Sequence, residues 1–318
     1  MNYFIFNYST DIHLIDSFLR SAALAHGHKE VKSEEWFMWK FKHNPFGEAI
    51  LACAEENGEI VGCVAYGIQP FWLKGKVITG SLAFESFVHP QYQRKGIFKK
   101  LISLSEKETK MRGIEILFAF PNSNSLPGFE RMNWTRLSIS EYWIKGASIF
   151  TIALNLTGIR QGFKPNPSNL QILNIPTNFQ QKPQENLTSV ITLEYLKWRF
   201  FTHPVAEYII IDTEELYSVI RMGNRGKIRE GQVLFIHIKN ERKFKMSTFI
   251  AKCQQASQYD ILSFPISKNN SIREYLKKAM FLKVPNKTNI CYKILNTDGI
   301  QDDDVLKISL SAINYHTY

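Results

Sequence analysis

Cysteine is scarce in this 318-residue chain, and so is every pattern that would put it to work. Cys53, Cys63, Cys253 and Cys291 are its four cysteines, and no two form a Cys-x-x-Cys pair. That spacing excludes a zinc ribbon, a redox dithiol motif and a dense disulfide framework. The four read as buried, reduced thiols of a cytoplasmic protein. No apolar run approaches the roughly 20 residues that a membrane-crossing helix needs. Met1–Phe6 is apolar but has no basic flank and soon meets Asp11, so it reads as a first strand and not as a signal peptide. Acid is the scarcer charge, with 29 Asp and Glu against 39 Lys and Arg, a net charge of +10. The excess is uneven. Residues 1–150 carry 17 basic against 15 acidic side chains, and residues 151–318 carry 22 against 14. A basic second half suits a polyanionic companion, such as nucleic acid, an anionic surface or a nucleotide-linked substrate, and equally a solvated basic face. No Ser–His–Asp set, cysteine nucleophile or zinc spacing is visible. His26 and His28 are two apart but lack a third ligand, so they read as loop residues and no metal is expected.

Apolar material is ample: 44% of residues are hydrophobic and 23 are Phe. The length predicts two domains. Residues 1–150 form the first, 151–188 a connection rich in Asn, Gln and Pro that is partly helical near Ile159, and 189–318 the second. In chain order, Tyr3–Phe6 predicts a strand, and Thr10 and Asp11 cap a helix bearing Ile12, Ile15, Phe18 and Leu19. Ser33 opens an aromatic run through Trp36, Phe37, Trp39 and Phe41. Ala49–Ala54 and Glu59–Tyr66 are strands joined across Asn57-Gly58, a strong hairpin signal. Gly67–Gly75 reads as a loop and Val77–Val88 as the next strand or pair of strands. A helix runs from Ile97 to about Met111 and ends at Arg112-Gly113. Ile114–Phe120 is a buried strand and Thr135–Lys145 a final one.

The chain is organised around Glu85–Ile102, where a strand turns at His89-Pro90, passes through a basic loop with Gly96, and enters a helix. Such a strand, glycine loop and helix start aim backbone N–H groups and the positive end of a helix dipole at an anion, with Arg94 and Lys95 adding charge. Gln93-Arg94-Lys95-Gly96-Ile97-Phe98 resembles the pyrophosphate motif of the GNAT superfamily of acyl-CoA-dependent N-acetyltransferases. Phe98 departs from the Gly or Ala usual there. It either narrows the space beside the pyrophosphate or points into the core. Further on, Asn122 and Ser125 match the family's Asn-x-x-Ser. Asn133-Trp134 stands where Gly-Phe is usual, and Phe129 where many members place the tyrosine that protonates the departing thiolate. The resemblance covers about residues 1–146.

The resemblance implies an α+β fold in the broad α/β class, with a mixed, mostly antiparallel sheet flanked by helices. It implies acetyl-CoA as co-substrate, held by Ser86, Phe87, Val88, Gln93, Arg94, Lys95, Gly96, Ile97, Phe98, Asn122 and Ser125. Backbone N–H groups of Ser86, Phe87 and Val88 would polarise the thioester carbonyl. Glu85 is the candidate general base, relaying a proton from the acceptor ammonium through water. Strand alternation would put Glu85, Phe87 and His89 on one face, with Ser86 and Val88 on the other.

The second half echoes the first. Glu35–Pro45 recurs as Glu194–Pro204, each with a Trp-Lys/Arg-Phe core. Glu115–Pro121 recurs loosely as Asp260–Pro265, and Glu130–Trp134 as Lys277–Phe281. Glu241–Lys245 occupies the neighbourhood of the glycine loop without a Gln-x-x-Gly. The expectation is therefore two tandem GNAT-like domains, the second lacking the CoA loop. The leading function is transfer of acetyl to a primary amine of a small molecule or amino sugar. One alternative is a Fem-type aminoacyltransferase, which also joins two GNAT-like halves and takes its aminoacyl group from tRNA, an acceptance of nucleic acid that is not favoured. The other is a catalytically decayed binding module.

Overall fold

The computed structural model describes residues 1–147, 179–206, 208–286, 288–296 and 299–314. The first half contains strands β1 (Asn2–Ile5), β2 (Ile50–Glu56), β3 (Glu59–Ile68), β4 (Phe71–Leu73), β5 (Lys76–Ile78), β6 (Gly80–Val88), β7 (Ile116–Ala119), β8 (Thr135–Leu137) and β9 (Ser140–Gly146), with helices α1 (Ile15–His26), α2 (Glu34–Phe37), α3 (Ile97–Met111) and α4 (Leu126–Glu130). The second contains β10 (Thr188–Ser189), α5 (Leu193–Leu196), β11 (Tyr208–Asp212), β12 (Leu216–Arg225), β13 (Ile228–Ile238), α6 (Met246–Ala256), β14 (Ile261–Ser267), α7 (Ile272–Lys278), β15 (Leu282–Val284), β16 (Ile290–Ile294) and α8 (Asp302–Leu306). Local chemistry accounts for several boundaries. Asn57 and Gly58 take φ of 57° and 81°, the left-handed pair that a tight β2–β3 turn requires. The Ser33 hydroxyl accepts the Trp36 N–H and so starts α2. Ile97, Leu101 and Ile102 bury one face of α3 while Lys99 and Lys100 stay exposed.

Two large mixed sheets result, ordered β1-β2-β3-β6-β7-β16-β8 and β11-β12-β13-β14-β9-β15. Within each, one central pair is parallel, β6–β7 and β13–β14 respectively, and the other neighbours run antiparallel. The two sheets exchange a strand. β16 lies between β7 and β8, and β9 lies between β14 and β15. The stretch expected as one final strand, Thr135–Lys145, is thus two strands in two different sheets. Its side chains divide at the break. Leu137 and Ile139 bury in the cluster with Phe118 and Ile290, whereas Trp143 buries with Phe264 and Leu276. The expected loop Gly67–Gly75 contains β4, which pairs with β5 and with β10 in a small third sheet. A three-residue strand is too short to show a period. Most of the expected connection, residues 151–178, lies outside the described residues, and with it the helical turn expected near Ile159.

An apolar cluster runs across both halves, from Phe18, Phe37 and Phe41 to Trp198, Tyr217 and Leu234. At its centre Trp39 and Trp198 stack with centroids 5.2 Å apart. Each indole N–H donates to the other residue's carbonyl, at 2.8 Å both ways. The elements carrying them match: Ser33 and Thr192 each cap a short helix that widens into a π turn, at Met38–Lys42 and Lys197–Phe201. The third recurrence matches too. Asn133 and Met280 take φ of 60° and 57°, and the next residues, Trp134 and Phe281, donate back to Phe129 and Leu276. The fold is therefore two α+β halves, each built on a mixed sheet, packed against a shared apolar core.

Candidate active site

The site begins where β6 and β7 part. Their parallel pairing ends at Ala83 opposite Ala119, while β6 continues to Val88 along β3. The opening is widened by a bulge. Ala65 faces Phe84 and Cys63 faces Phe87, so two residues of β6 oppose Val64 alone. Glu85 takes φ of 44°, a conformation that a non-glycine residue adopts only when its surroundings impose it. The expected alternation is therefore interrupted. Phe84 and Phe87, three apart, enter the same core cluster, and Glu85 and Ser86 both line the cleft. The cavity of about 450 Å³ reaches from α1 and Trp36, past the bulge, to Phe120, Asn122, Ser125 and Phe129, and Arg221 of β12 closes one side.

Glu85 is ion-paired. Its Oε1 accepts from the Lys40 ammonium at 2.6 Å, and its Oε2 lies 3.8 Å from His26 Nε2. Lys40 is almost wholly buried and sits over the faces of Trp36 and Phe84, at 4.9 and 5.3 Å. Burial pushes the Glu85 carboxyl up, but Lys40, with His26 and His28, more than offsets it and holds the group below the usual carboxylate range. Burial also lowers Lys40, against the opposing pull of Glu85. His26 is lowered by burial and by the neighbouring His28 and Lys40, which outweigh Glu85, so it is neutral at pH 7. A neutral imidazole beside an ionised carboxylate can accept a proton.

The basic loop lies at the start of α3. Gly96 is its N-cap at φ 74°, and Arg94 takes φ 63°. A Cβ at Gly96 would meet nothing within 4 Å, so the glycine serves the backbone angle and the space above it is open. No side chain caps the helix, so its first N–H groups face that space. Arg94 and Lys95 are exposed, Lys95 lies over Tyr92 at 4.7 Å, and the Gln93 amide donates to the Val88 carbonyl at 3.3 Å. Ile97 is buried beneath. Phe98 turns towards α4, edge-on to Phe129 with centroids 5.6 Å apart. Its ring covers Gly128, where a Cβ would meet Phe98 Cε1 at 2.6 Å. The Asn122 side chain accepts from Asn124 and Ser125 N–H groups at 3.0 Å and so shapes the turn into α4.

Glu85, Ser86, Asn122 and Ser125 thus meet in the cleft, while Gln93, Arg94, Lys95 and Gly96 form the loop. Phe87 and Val88 pack into clusters on opposite faces of the sheet. Sequence reading missed His26 and Arg221 as cleft residues and Lys40 as the partner of Glu85, whereas it allowed the aromatic run containing Trp36 a place at the mouth of a cleft. The adjacency of His26 to a helix-ending glycine was visible, but its partner Glu85 is remote in sequence. No group of three or more metal-ligating side chains occurs among the described residues.

Residues 10–137 match a family model described as an acetyltransferase (GNAT) domain. No curated protein matches. Among solved structures, a GCN5-related N-acetyltransferase from Anabaena variabilis ATCC 29413 aligns with a TM-score of 0.60 at 11% identity, covering 93% of this chain and 73% of that one. Eis1 from Mycobacterium abscessus aligns at 0.57 and 10% identity, covering 94% and 75%. Saccharomyces cerevisiae N-myristoyltransferase, solved with bound myristoyl-CoA, aligns at 0.55 and 11%, covering 100% and 85%. At such identities the likeness is one of fold.

Proposed function

We propose, proceeding from the GNAT domain of residues 10–137, that the protein is an acyl-CoA-dependent N-acyltransferase that moves acetyl from acetyl-CoA to a primary amine of a small molecule, acting in the cytoplasm. The observation that carries this reading is the pairing of two features on one sheet. One is an uncapped helix start behind a left-handed glycine loop, and the other is a bulged, splayed strand bearing an ionised carboxylate. Gln93–Phe98 would hold the pyrophosphate, with α3 N–H groups and the Arg94 and Lys95 charges facing it. The co-substrate brings an activated acyl group. Backbone N–H groups at the bulge, around Ser86, face the carbonyl oxygen as it gains charge. Glu85, with neutral His26 beside it, takes one proton from the acceptor ammonium, so that the free amine can form the new C–N bond while the C–S bond breaks. The second, surplus proton on the nitrogen passes through water to the departing thiolate. Ser125, Asn122 and Phe129 flank the departing sulfur, and Phe129 offers no proton to it.

Calorimetry with acetyl-CoA, and with a long-chain acyl-CoA for comparison, tests the reading in the wild type, Gly96→Ala and Gly96→Glu. Alanine at φ 74° costs about 1–2 kcal/mol of backbone strain with no clash. Glutamate adds a charge beside the pyrophosphate. At about 5 Å and an effective dielectric near 20 this opposes binding by roughly 3 kcal/mol, more than a hundredfold in Kd. Micromolar binding that survives Ala and is lost in Glu supports the proposal. A folded wild type that binds neither acyl-CoA overturns it.

A further inference from the structure

The second sheet repeats the splay of the first. Parallel pairing of β13 with β14 ends at Gln232 opposite Ser263, while β13 continues along β12 to Ile238. A bulge again widens the opening, since Val233 and Phe235 face Ile220 and Val219 and leave Leu234 unpaired in the ladder. A cavity of about 350 Å³ lies in this splay, lined by Val233–Ile238, the end of β14 and the start of α7. Those are the positions that β6, β7 and α4 hold around the first cleft. The open edge of β14 is already covered. Its Ser267 N–H donates to the Leu310 carbonyl at 3.0 Å, and Ser311 bridges to Ile266. The edge of β13 is not covered. Among the described residues, the backbone of Val233–Ile238 bonds only to β12. Along a strand with one partner, alternate N–H and C=O groups point away from it. Here they face a cavity whose wall includes Val233 and Phe235, at 3% and 8% exposure, where an unpaired backbone group is costly.

The rest of the lining selects the chemistry of a guest. It includes no lysine or arginine among the described residues, and its titratable side chains are Glu241, exposed at the rim, and His237. Burial and the nearby Lys239 lower His237, which is neutral at pH 7. Ile236, Phe264 and Ile266 give apolar surface, with Asn270 and Ser309 interspersed. Such a lining offers a buried charge no counter-ion, but it offers an apolar chain with spaced amides both contact and a hydrogen-bonding edge. We infer that this second cleft binds an uncharged, extended chain of secondary amides, laid along the edge of β13 as an added strand. That chemistry is shared by a short peptide and by a pantetheine arm. The inference does not rest on the acyltransferase reading, because none of its residues lines the first cleft.

Hydrogen exchange read by peptide mass spectrometry locates the site. The full chain is mixed in turn with N-acetyl-trialanine methylamide, with pantetheine, and with an ester analogue of the tripeptide in which two inner amide N–H groups are replaced by oxygen. Protection of Val233–Ile238 by the tripeptide or by pantetheine supports the inference, and the one that acts at lower concentration identifies the source. The ester analogue should bind about fivefold more weakly or worse, because two hydrogen bonds to the strand edge are lost. Ser271→Trp, a change at an exposed rim position whose side chain caps nothing, should abolish the protection, with circular dichroism checking its fold. Four results overturn the inference: no protection of Val233–Ile238 by either ligand at its solubility limit, protection confined to Gly80–Val88, an ester analogue that binds as tightly as the tripeptide, or protection that persists in folded Ser271→Trp. If acetyl-CoA fails to bind while the tripeptide still protects Val233–Ile238, the proposed function falls and this inference stands.

Discussion

Replacing Ile290 by alanine should loosen the first half of the molecule, although Ile290 belongs to the second half in sequence. Ile290 pairs with Leu137 on β8, its neighbour Cys291 pairs with Ala119 on β7, and both side chains are fully buried. A buried Ile→Ala change costs about 2–5 kcal/mol, the spread depending on how far the cavity collapses. Cluster neighbours Phe118, Leu137 and Tyr292 come from three strands that fix one another, so little collapse is expected and the upper part of that range applies. Against a typical stability of about 5–15 kcal/mol, that is a large share. Hydrogen exchange read by peptide mass spectrometry is the assay. Amides of Ile116–Ala119 should lose protection in the variant as strongly as those of Ile290–Ile294. The reverse experiment is Trp143→Ala on β9, which should expose Ile261–Ser267 instead. Residues 1–147 expressed alone should fail to protect β7, because β16 is missing between β7 and β8. The reasoning is refuted if Ile290→Ala speeds exchange only among residues 189–314, or if residues 1–147 alone protect β7 as the full chain does.

Lys40→Met should raise Glu85, because burial then acts with less opposition. Glu85 is held below its unfolded value in the wild type, so its stabilising contribution is present above the ordinary carboxylate range and disappears as pH falls through the folded pKa. The stability gap between wild type and Lys40→Met should be widest at pH 7 and shrink by pH 4 in urea titrations, and an equal gap at both values contradicts the pairing argument. If acetyl transfer is measured, the acid limb of kcat/KM should move to higher pH in Lys40→Met. Gly128→Ala should cost more than 1 kcal/mol alone, since its Cβ meets Phe98 at 2.6 Å, and nearly nothing in a Phe98→Ala background. Additive losses in that double-mutant cycle would show that Phe98 does not occupy the space over Gly128.

The first half was legible wherever the signal is local. Asn57-Gly58 determines its turn through backbone angles, Ser33 caps through a contact three residues away, and Gly96 marks the helix entry by the conformation it permits. Ile97–Met111 was found at its observed boundaries because its apolar spacing is sustained for four turns. What escaped was non-local. Thr135–Lys145 looks continuous because both β8 and β9 are apolar strands, and nothing within them says that their partners belong to different sheets. The bulge at Glu85 was equally hidden, because one extra residue changes the register without changing composition. His26 and Arg221 line the cleft from elements far apart in sequence, Lys40 reaches it only through its ion pair with Glu85, and each looks like a surface charge in its own neighbourhood.

The shared π turns explain why the halves interlock instead of merely touching. A π turn inserts one residue into a helix and rotates the downstream residues relative to the preceding turn. Both Met38–Lys42 and Lys197–Phe201 do this at the same register, which brings Trp39 and Trp198 face to face with each indole N–H on the other's carbonyl. The residues after each tryptophan, Lys40 and Arg199, are then both carried inward and buried. Among the described residues only Lys40 meets a carboxylate there, because Glu85 stands on the bulge of β6. The corresponding bulge of β13, between Val233 and Phe235 opposite Val219 and Ile220, places Leu234 in the common core. One symmetric packing device therefore produces an ion-paired cleft in the first half and an apolar wall in the second. Substituting Leu234 by glutamate should give Arg199 a partner and, unlike a typical buried acid, cost less in the wild type than in Arg199→Met, as measured by urea unfolding. An equal or smaller cost in Arg199→Met would show that the two bulges are not related by the seam.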